Sequence, residues 1–374
     1  MATALRFAQI ARAASLLCLA GCVAGAQPAT QPPATRAPAG GSIAAPSDQR
    51  PFRLVNTPQA WGGVGVCYGP HRDGQFPEGP SPTEAQIRED LHIMARHWSM
   101  LRVYAARGSA EIVCRLIRAE KLPLKVLVGA WIAQESIPNA DGTPGPVIAP
   151  IAAANQAEVA AAVRLANEFP DVVVALNIGN EALVSWSAHR VAPSVVKGYL
   201  RQARAATTVP VSTCDTELYW TQPESRDIAS ECDYLALHAY AMWNGQSLTD
   251  SFAWTRDRIA AVHAMHPDLP IVITEIGWAT DKGTTGDQAR LITAVPNERD
   301  QEIFFRALRD WAIEHRQPYF FFEAFDENWK GGPEPSEVEK HWGVYNADRT
   351  PKLLFRPHPG APAPFPPDAA PAKK

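Results

Sequence analysis

The sequence predicts an α/β fold, a parallel (β/α)8 TIM barrel that occupies residues 52–356. Three observations lead to this prediction. Eight short apolar segments rich in β-branched and aromatic residues recur along the chain, stretches with helical periodicity separate them, and no G-x-G-x-x-G turn follows the first segment. Strands that are hydrophobic along most of their length and alternate with helices favour a closed parallel barrel, whose sheet is buried on both faces.

The predicted strands carry the main evidence for the barrel. They are GVGVCY at 63–68, MLRVY at 100–104, LKVLVG at 124–129, VVVALNI at 172–178, VPVST at 209–213, DYLALHAY at 233–240, PIVITE at 270–275 and YFFFEAF at 319–325. A parallel barrel brings the carboxyl ends of all its strands to one face, where active sites are built. Polar residues that end these runs are therefore candidates for a site.

Helix signals fill the segments between the strands. The stretch SPTEAQIREDLHIMARHW is predicted to be a helix with Ser81 as its N-cap and Glu84 closing a capping box. In NERDQEIFFRALRDWAIEH, Asn297 is the predicted N-cap and Ile303 falls on the predicted buried face. After the third strand, the stretch 131–155 is rich in proline and alanine and is predicted to be a long loop at the mouth of the barrel.

The N-terminus has the layout of an export signal. Basic residues precede a short apolar run within residues 1–21, and that run is too short to span a bilayer. LAGC at 19–22 resembles the bacterial lipobox, which predicts that Cys22 carries the lipid and that acyl chains hold the protein to a membrane. An ordinary signal peptide cleaved near Ala26 is the alternative. We expect an exported, lipid-anchored protein of the bacterial cell envelope, at the outer membrane or the periplasmic face.

Proline-rich segments flank the predicted barrel. Residues 27–51 contain 6 prolines and residues 357–374 contain 7, with little that could be buried. Such segments are typical of semi-extended, disordered chain. The predicted organisation is therefore a signal peptide at 1–21, a tether at 22–51, the barrel domain at 52–356 and a tail at 357–374.

Charge and cysteine content exclude several classes of protein. The formal net charge is −4, and no basic segment indicates nucleic-acid binding. The cysteines of the barrel region show no metal-ligand spacing, so a zinc site is not expected. Cys214 and Cys232 belong to the ends of different predicted strands and should lie too far apart for a disulfide, which leaves buried thiols as the expectation.

Two predicted strands end on a glutamate. VVVALNIGNEAL brings Asn180 and Glu181 to the end of strand four, and IVITEIGWAT brings Glu275 to the end of strand seven. A solvated or ion-paired strand end would explain either glutamate alone. Two carboxyls that meet on the same face are what glycoside hydrolysis requires, one to protonate the leaving oxygen and one to meet the oxocarbenium-like centre.

Five motifs, in order along the whole barrel, resemble glycoside hydrolase family 17, the β-1,3-glucanases and glucanosyltransferases within the retaining barrel glycosidases. They are GVGVCYG at 63–69, LRVYA at 101–105, IGNEAL at 178–183, TEIGWAT at 274–280 and FFFEAFDENWK at 320–330. The last two are the most specific.

The resemblance implies a retaining double displacement. Glu181 would be the general acid/base and Glu275 the nucleophile. Asn180 is suited to bind the sugar hydroxyl beside the reacting carbon, and Arg102 and Tyr240 are suited to hold Glu275. A buried strut of the barrel is the alternative role for Arg102.

Aromatic and charged residues complete the predicted substrate site. Aromatic side chains at strand ends can stack on the apolar faces of sugar rings, although packing is an alternative role for Tyr104. The predicted platforms are Tyr68, Tyr104, Tyr240 and Trp278. The charged positions that the resemblance assigns to substrate binding are Glu327, Lys330 and Glu339, for which a solvated loop is the alternative.

The predicted function is endo-type hydrolysis of β-1,3-glucan by a monomeric enzyme that needs no metal or cofactor, since proton transfer and a carboxylate nucleophile suffice. The expected partners are a β-glucan poly- or oligosaccharide and the membrane that holds the lipid anchor. One alternative is a β-1,3-glucanosyltransferase, and another is a glycosidase for β-1,4 or β-mannosidic bonds. A third, from a different class, is a non-catalytic glycan-binding lipoprotein. LHAYAMW in strand six and Ile276 depart from the plant members of family 17 and leave the linkage open.

Overall fold

The computed structural model describes residues 64–137, 139 and 143–357, and it is a closed barrel of eight parallel strands in the order β1 to β8. The strands are β1 Val64–Cys67, β2 Met100–Val103, β3 Lys125–Ala130, β4 Val173–Asn180, β5 Val211–Thr216, β6 Leu235–His238, β7 Ile271–Ile276 and β8 Tyr319–Phe321. The predicted TIM barrel and all eight predicted strands are confirmed. The predicted signal peptide, Cys22, the tether, and the tail beyond residue 357 lie outside the described residues.

Helices separate the strands and surround the barrel. They are α1 Glu84–Met94, α2 Ser109–Ala119, α3 Ala149–Glu168, α4 Pro193–Ala206, α5 Glu217–Trp220, α6 Ser225–Ala229, α7 Leu248–Met265, α8 Gly286–Leu291 and α9 Glu298–His315. Among the described residues, no helix combines the length and the apolar character that a membrane span needs.

Some predicted boundaries are wrong. The N-cap of α1 is Thr83 and not Ser81, because the Thr83 hydroxyl accepts a hydrogen bond from the Gln86 amide at 3.2 Å while the Gln86 side chain accepts one from the Thr83 amide at 2.9 Å. In α9 the predicted N-cap Asn297 is confirmed, but Ile303 is 41% exposed and its neighbours Phe304 and Phe305 face the core. The loop after β3 is shorter than predicted, since α3 begins at Ala149.

The barrel interior is packed by residues that alternate along each strand. At the seam, Gly65 of β1 pairs with Phe320 of β8, and a Cβ on Gly65 would lie 2.5 Å from the Phe320 ring. Only glycine leaves room for that ring. Cys67, Cys114, Cys214 and Cys232 are buried free thiols, as predicted.

A buried ion network fastens the last described segment to the first helix. The Asp90 carboxylate of α1, which is fully buried, accepts hydrogen bonds from Arg349 Nε at 2.8 Å and Nη2 at 2.7 Å. It also accepts from Arg72 Nη2 at 2.9 Å and from the Tyr68 hydroxyl at 3.0 Å. One carboxylate therefore joins the end of β1, the loop after it and the chain segment that follows β8.

We expect Asp90→Ala to lower the free energy of unfolding by about 3–5 kcal/mol, because it leaves the buried Arg349 guanidinium without its counter-ion. Denaturant unfolding measures this loss. The matched control is Glu89→Ala, which removes an exposed partner of Arg72 at 2.8 Å and should change stability by no more than about 1 kcal/mol. Equal losses in the two variants would contradict a special role for the buried network.

Candidate active site

The two predicted catalytic glutamates meet at the carboxyl face of the barrel. Asn180 is the last residue of β4 and Glu181 follows it, while Glu275 is the penultimate residue of β7. One carboxylate oxygen of Glu181 lies within 4.8 Å of one of Glu275. This separation matches the roughly 5–5.5 Å of retaining glycosidases rather than the roughly 6.5–9.5 Å of inverting ones.

Glu275 is held as a carboxylate by three groups. Arg102 Nη1 donates a short hydrogen bond to its Oε1, and the Tyr240 hydroxyl donates to its Oε2 at 2.5 Å. His238 Nε2 lies 3.4 Å from Oε1. Burial on its own raises the pKa of Glu275, but His238, Arg102 and Tyr240 outweigh burial and lower that pKa below its ordinary value. The group is therefore ionised at neutral pH, as a nucleophile must be.

Arg102 is fixed in the floor of the site. Its Nη2 donates to Asn180 Oδ1 at 2.5 Å and contacts Cys214 Sγ at 3.2 Å. The guanidinium lies 4.3 Å from the centre of the Tyr104 ring. Arg102 thus orients both Glu275 and the side-chain amide of Asn180.

Glu181 sits on a constrained backbone. Its φ of 47° is in the left-handed region, and its amide donates to the Cys214 carbonyl at 2.8 Å. Behind it, the fully buried Asp215 accepts hydrogen bonds from the amides of Leu183 at 3.0 Å and Val184 at 3.2 Å. Burial, and secondarily Glu181, raises the pKa of Asp215 to about 7. The turn after β4 is thereby anchored to β5.

His238 is a site residue that the sequence reasoning missed. It is the last residue of β6, is fully buried, and its Nδ1 lies 2.8 Å from Glu181 Oε1. Burial on its own lowers the pKa of His238, but Glu275, the Cys214 thiol and Glu181 together raise it from 6.5 to about 10. The signal was present, because His238 is a polar residue that ends a buried strand, as the two glutamates do.

Two predicted aromatic platforms lie in the site. Tyr104 stands beneath Arg102, and Tyr240 lies against Glu275. The Tyr240 ring packs edge-on against Trp342 at 5.2 Å and Phe322 at 5.7 Å. Trp342 and Phe322 belong to the chain after β8, so that segment forms the side of the site next to Tyr240 and Glu275.

The structure does not bring Tyr68 to the site. Its side chain is 1% exposed and points outward, where the hydroxyl donates to Asp90 of α1. The reason is strand alternation, since Cys67 faces the barrel interior and contacts Arg102 and the next residue must face the helices. Prediction of Tyr68 as a sugar platform does not fit this position.

Trp278 is also in the wrong place for a sugar platform. It is fully buried, and its ring lies 5.5 Å from Phe304 of α9. Its carbonyl accepts a hydrogen bond from Gln301 of the same helix at 2.9 Å. The chain after β7 has turned away from the mouth at this residue, which makes Trp278 part of the core.

The charged residues after β8 form a buried cluster around Lys330. Lys330 Nζ lies 2.7 Å from both carboxylate oxygens of Glu323 and 2.7 Å from Glu327. Burial, and secondarily Glu327, raises the pKa of Glu323, although Lys330 opposes this shift. Burial also acts to raise the pKa of Glu327, but Lys330 and His71 outweigh it and lower that pKa. The same cluster therefore shifts the two carboxyl groups in opposite directions, Glu323 toward its protonated form and Glu327 toward its carboxylate. Glu323 was not predicted, although it lies in the motif FFFEAFDENWK.

Glu339 lies in the short 3-10 turn Val338–Lys340 and faces the same region. Burial raises its pKa to about 7; Lys330 opposes this shift, while Glu337, Glu181 and Glu275 add to it. The charges of Glu181 and Glu275 contribute to this shift, so Glu339 lies near the two glutamates. Its assignment to substrate binding stays a prediction.

Trp131 is a third feature that the sequence reasoning missed. It directly follows β3 and is 37% exposed. Its ring centre lies 4.6 Å from that of His189, with an interplanar angle of 32°. His189 Nε2 donates to the Asn180 carbonyl at 2.7 Å. A partly exposed aromatic side chain therefore lies next to the end of β4, which Glu181 follows.

Comparison with known proteins gives consistent relatives. The chain is 28% identical over 312 residues to a glucan 1,3-beta-glucosidase of Arthroderma benhamiae, covering 79% of this chain and 90% of that one. Among solved structures, an endo-laminarinase from Formosa superposes with a TM-score of 0.65 at 24% identity over 76% of this chain and 83% of the other.

A glycoside hydrolase family 17 β-1,3-glucanosyltransferase from Rhizomucor miehei superposes with a TM-score of 0.57 at 21% identity, covering 77% of this chain and 95% of that one. At these identities the two superpositions show a shared barrel fold. The family model described as the BtgE/BtgC glycoside hydrolase domain matches residues 65–343, which is nearly the whole barrel. The chain belongs to the BtgE/BtgC glycoside hydrolase domain family.

Proposed function

We propose that this glycoside hydrolase cleaves β-1,3-linked glucan within the chain and with retention of configuration. The observation that carries the proposal is the pair Glu181 and Glu275, with carboxylate oxygens within 4.8 Å of each other and Glu275 held ionised by Arg102 and Tyr240. The name of the Arthroderma relative, a glucan 1,3-beta-glucosidase, supports the linkage.

The proposed chemistry has two steps. In the first, Glu275 attacks the anomeric carbon while the carboxylic acid of Glu181 gives its proton to the leaving oxygen, and a glycosyl ester forms on Glu275. In the second, Glu181 as a carboxylate takes a proton from water, whose oxygen bonds to the anomeric carbon, and Glu275 leaves as a carboxylate. Tyr240 and Arg102 stabilise the returning charge on Glu275.

The contacts to sugar follow from the same geometry. The Asn180 side chain, oriented by Arg102, is placed to donate to the hydroxyl next to the reacting carbon. Tyr104 and Tyr240 offer ring faces at the floor and side of the site. Phe322 packs against Tyr240 on one side, and the Lys330 ammonium lies 4.6 Å from the centre of its ring, so the Lys330 cluster supports the side of the site next to Tyr240.

Transfer to a second sugar is the other candidate function. Trp131 supports it, because its exposed ring is braced by His189, which also holds the carbonyl of Asn180. A sugar stacked on Trp131 would lie on the side of Glu181, where the incoming hydroxyl must be deprotonated. The Rhizomucor structure, whose title names a β-1,3-glucanosyltransferase, is a relative in fold.

The test is incubation of the purified protein with laminarin oligosaccharides of one length, with products resolved by mass spectrometry. Shorter products alone support hydrolysis, and products longer than the starting sugar support transfer. Turnover of β-1,4-glucan or β-mannan oligosaccharides without turnover of laminarin oligosaccharides would contradict the β-1,3 assignment. Glu275→Gln is the control for contaminating glycosidases.

We also propose that the enzyme is exported in a bacterial cell and anchored to the envelope by lipid on Cys22. The support is the sequence LAGC at 19–22 together with the apolar run before it. Cys22→Ser is expected to move the protein from the membrane fraction to the soluble fraction, because a chain without the thiol cannot receive the acyl chains. Unchanged fractionation of the variant would contradict lipidation. The matched control is Cys18→Ser, which keeps the lipobox cysteine.

A further inference from the structure

One side chain lies between the two catalytic glutamates. His238 Nδ1 is 2.8 Å from Glu181 Oε1, and its Nε2 is 3.4 Å from Glu275 Oε1. The ring is fully buried at the end of β6, on neither of the strands that carry the glutamates. In the described part of the chain, Nε2 has no hydrogen-bond partner, so its interaction with Glu275 is an ion pair without a well-formed hydrogen bond.

The two reaction steps place negative charge on different glutamates. Before the glycosyl ester forms, the charge is on Glu275 and Glu181 carries the proton. After it forms, Glu275 is an uncharged ester and Glu181 is the carboxylate. Arg102 can compensate the negative charge on Glu275 before the ester forms, because it donates to Glu275 and to Asn180. Within the described residues, the ion pair to Glu181 is made by His238.

We propose that His238 is a fixed cation that serves both half-reactions, opposite Glu275 before the ester forms and opposite Glu181 while the ester exists. The proposal rests on the double displacement proposed above. His238 gains and loses no proton in it: the proton that reaches the leaving oxygen comes from Glu181, and the proton that returns to Glu181 comes from water or from a sugar hydroxyl. His238 acts through the glutamates and is a positioning residue.

The surroundings of His238 favour the charged ring. Carboxyl groups face it from three sides, namely Glu181 after β4, Asp215 and Glu217 on and after β5, and Glu275 on β7. The Cys214 thiol of β5 is also a neighbour, and Arg102 of β2 is a second cation close by, since it contacts the same Glu275 Oε1 and the Cys214 thiol. Burial opposes the charge, yet the pKa of His238 is raised to about 10. When Glu181 and Glu275 are both ionised, the ring can donate to both of them only if both of its nitrogens carry hydrogen.

The test compares wild type with His238→Asn and His238→Gln in the pH dependence of kcat/KM on laminarin oligosaccharides. The acid limb reports protonation of Glu275 and the alkaline limb reports loss of the proton from Glu181. Removing a cation makes each carboxyl hold its proton more strongly. Both limbs should therefore move to higher pH, by about one unit or more. A pH profile of kcat/KM that falls in height, with both limbs at unchanged pH, would show a merely structural role and overturn the proposal.

A second measurement does not depend on turnover. The imidazole 15N resonances of His238, assigned among the 10 histidines by comparison with His238→Gln, report the protonation of both ring nitrogens. Both should carry hydrogen from pH 5 to pH 8, and a neutral ring at pH 7 would overturn the proposal even if the glucan assignment is right. Absence of turnover with a ring that stays charged would instead count against the proposed substrate and leave the charge role supported.

Discussion

Replacing Glu275 by glutamine is expected to lower the turnover of laminarin oligosaccharides by about 10⁴-fold or more, because the amide cannot form the glycosyl ester. The hydrogen bond from Arg102 to Asn180 does not involve Glu275, so these two side chains should keep their positions in the variant. Initial rates with enzyme in large excess measure the residual activity. Circular dichroism and the melting temperature show whether the variant is folded.

Glu302→Gln is the matched control for Glu275→Gln. Glu302 is another buried glutamate paired with arginine, on α9, where Arg306 Nη2 donates to it at 2.8 Å and Arg299 Nη1 at 2.7 Å. Both arginines belong to the same outer helix and to no part of the proposed site, so this variant should retain most of the turnover. Comparable loss in both variants, or near-normal turnover by Glu275→Gln, would contradict the nucleophile assignment.

The second large effect is expected for Glu181→Gln and depends on the leaving group. Turnover of laminarin oligosaccharides should fall by about 10²–10⁴-fold, since the poor leaving group needs the proton. A 2,4-dinitrophenyl β-glucoside needs no proton to leave, so the ester should still form and then accumulate without a general base. Added azide needs no base and should restore turnover, giving a β-glucosyl azide.

Nuclear magnetic resonance of the azide product decides the outcome for Glu181. A β-glucosyl azide would support both the acid/base role and the retaining mechanism, because attack on the ester comes from the face that the leaving group vacated. An α-azide would contradict retention. No response to azide, with a burst of dinitrophenol still present, would contradict the base role of Glu181.

The sequence could predict the barrel and the catalytic pair because both depend on patterns with a fixed direction. Strands β4 and β7 are long aliphatic runs, and their final carboxylates must emerge where all parallel strands end. Arg102, Tyr104, Asn180 and Tyr240 lie in the strands or at their ends, and the structure gathers them around Glu275.

The errors arise where the chain leaves a strand. Tyr68 and Trp278 each lie close to a strand end, but a single step of the alternation decides whether a side chain faces the sugar or the helices, and composition does not reveal where the alternation stops. His238 was missed for the opposite reason. The segment LHAYAMW that contains it was considered only as a departure from the plant members of family 17. His238 is nevertheless a polar residue at the end of a buried strand, as the two glutamates are.

The contact between Trp131 and His189 could not be predicted from the sequence. Trp131 and His189 are far apart along the chain, and their stacking depends on how the loops after β3 and β4 fold toward each other. The opposite pKa shifts of Glu323 and Glu327 depend on Lys330 lying within hydrogen-bond distance of both carboxyl groups in a buried cluster. The hydrophobic periodicity of the sequence does not predict which residues of different loops lie close together.

The network around Asp90 has a consequence for how the protein is made. Arg349 is 259 positions after Asp90, and the pairing of β8 with β1 spans nearly as much of the chain. Contacts this distant form late and slowly. The barrel cannot close until β8 has been made, and the Asp90 network cannot form until Arg349 has followed it. A chain that ends between β8 and Arg349 should therefore hold all eight strands and still be more susceptible to proteases than the full chain.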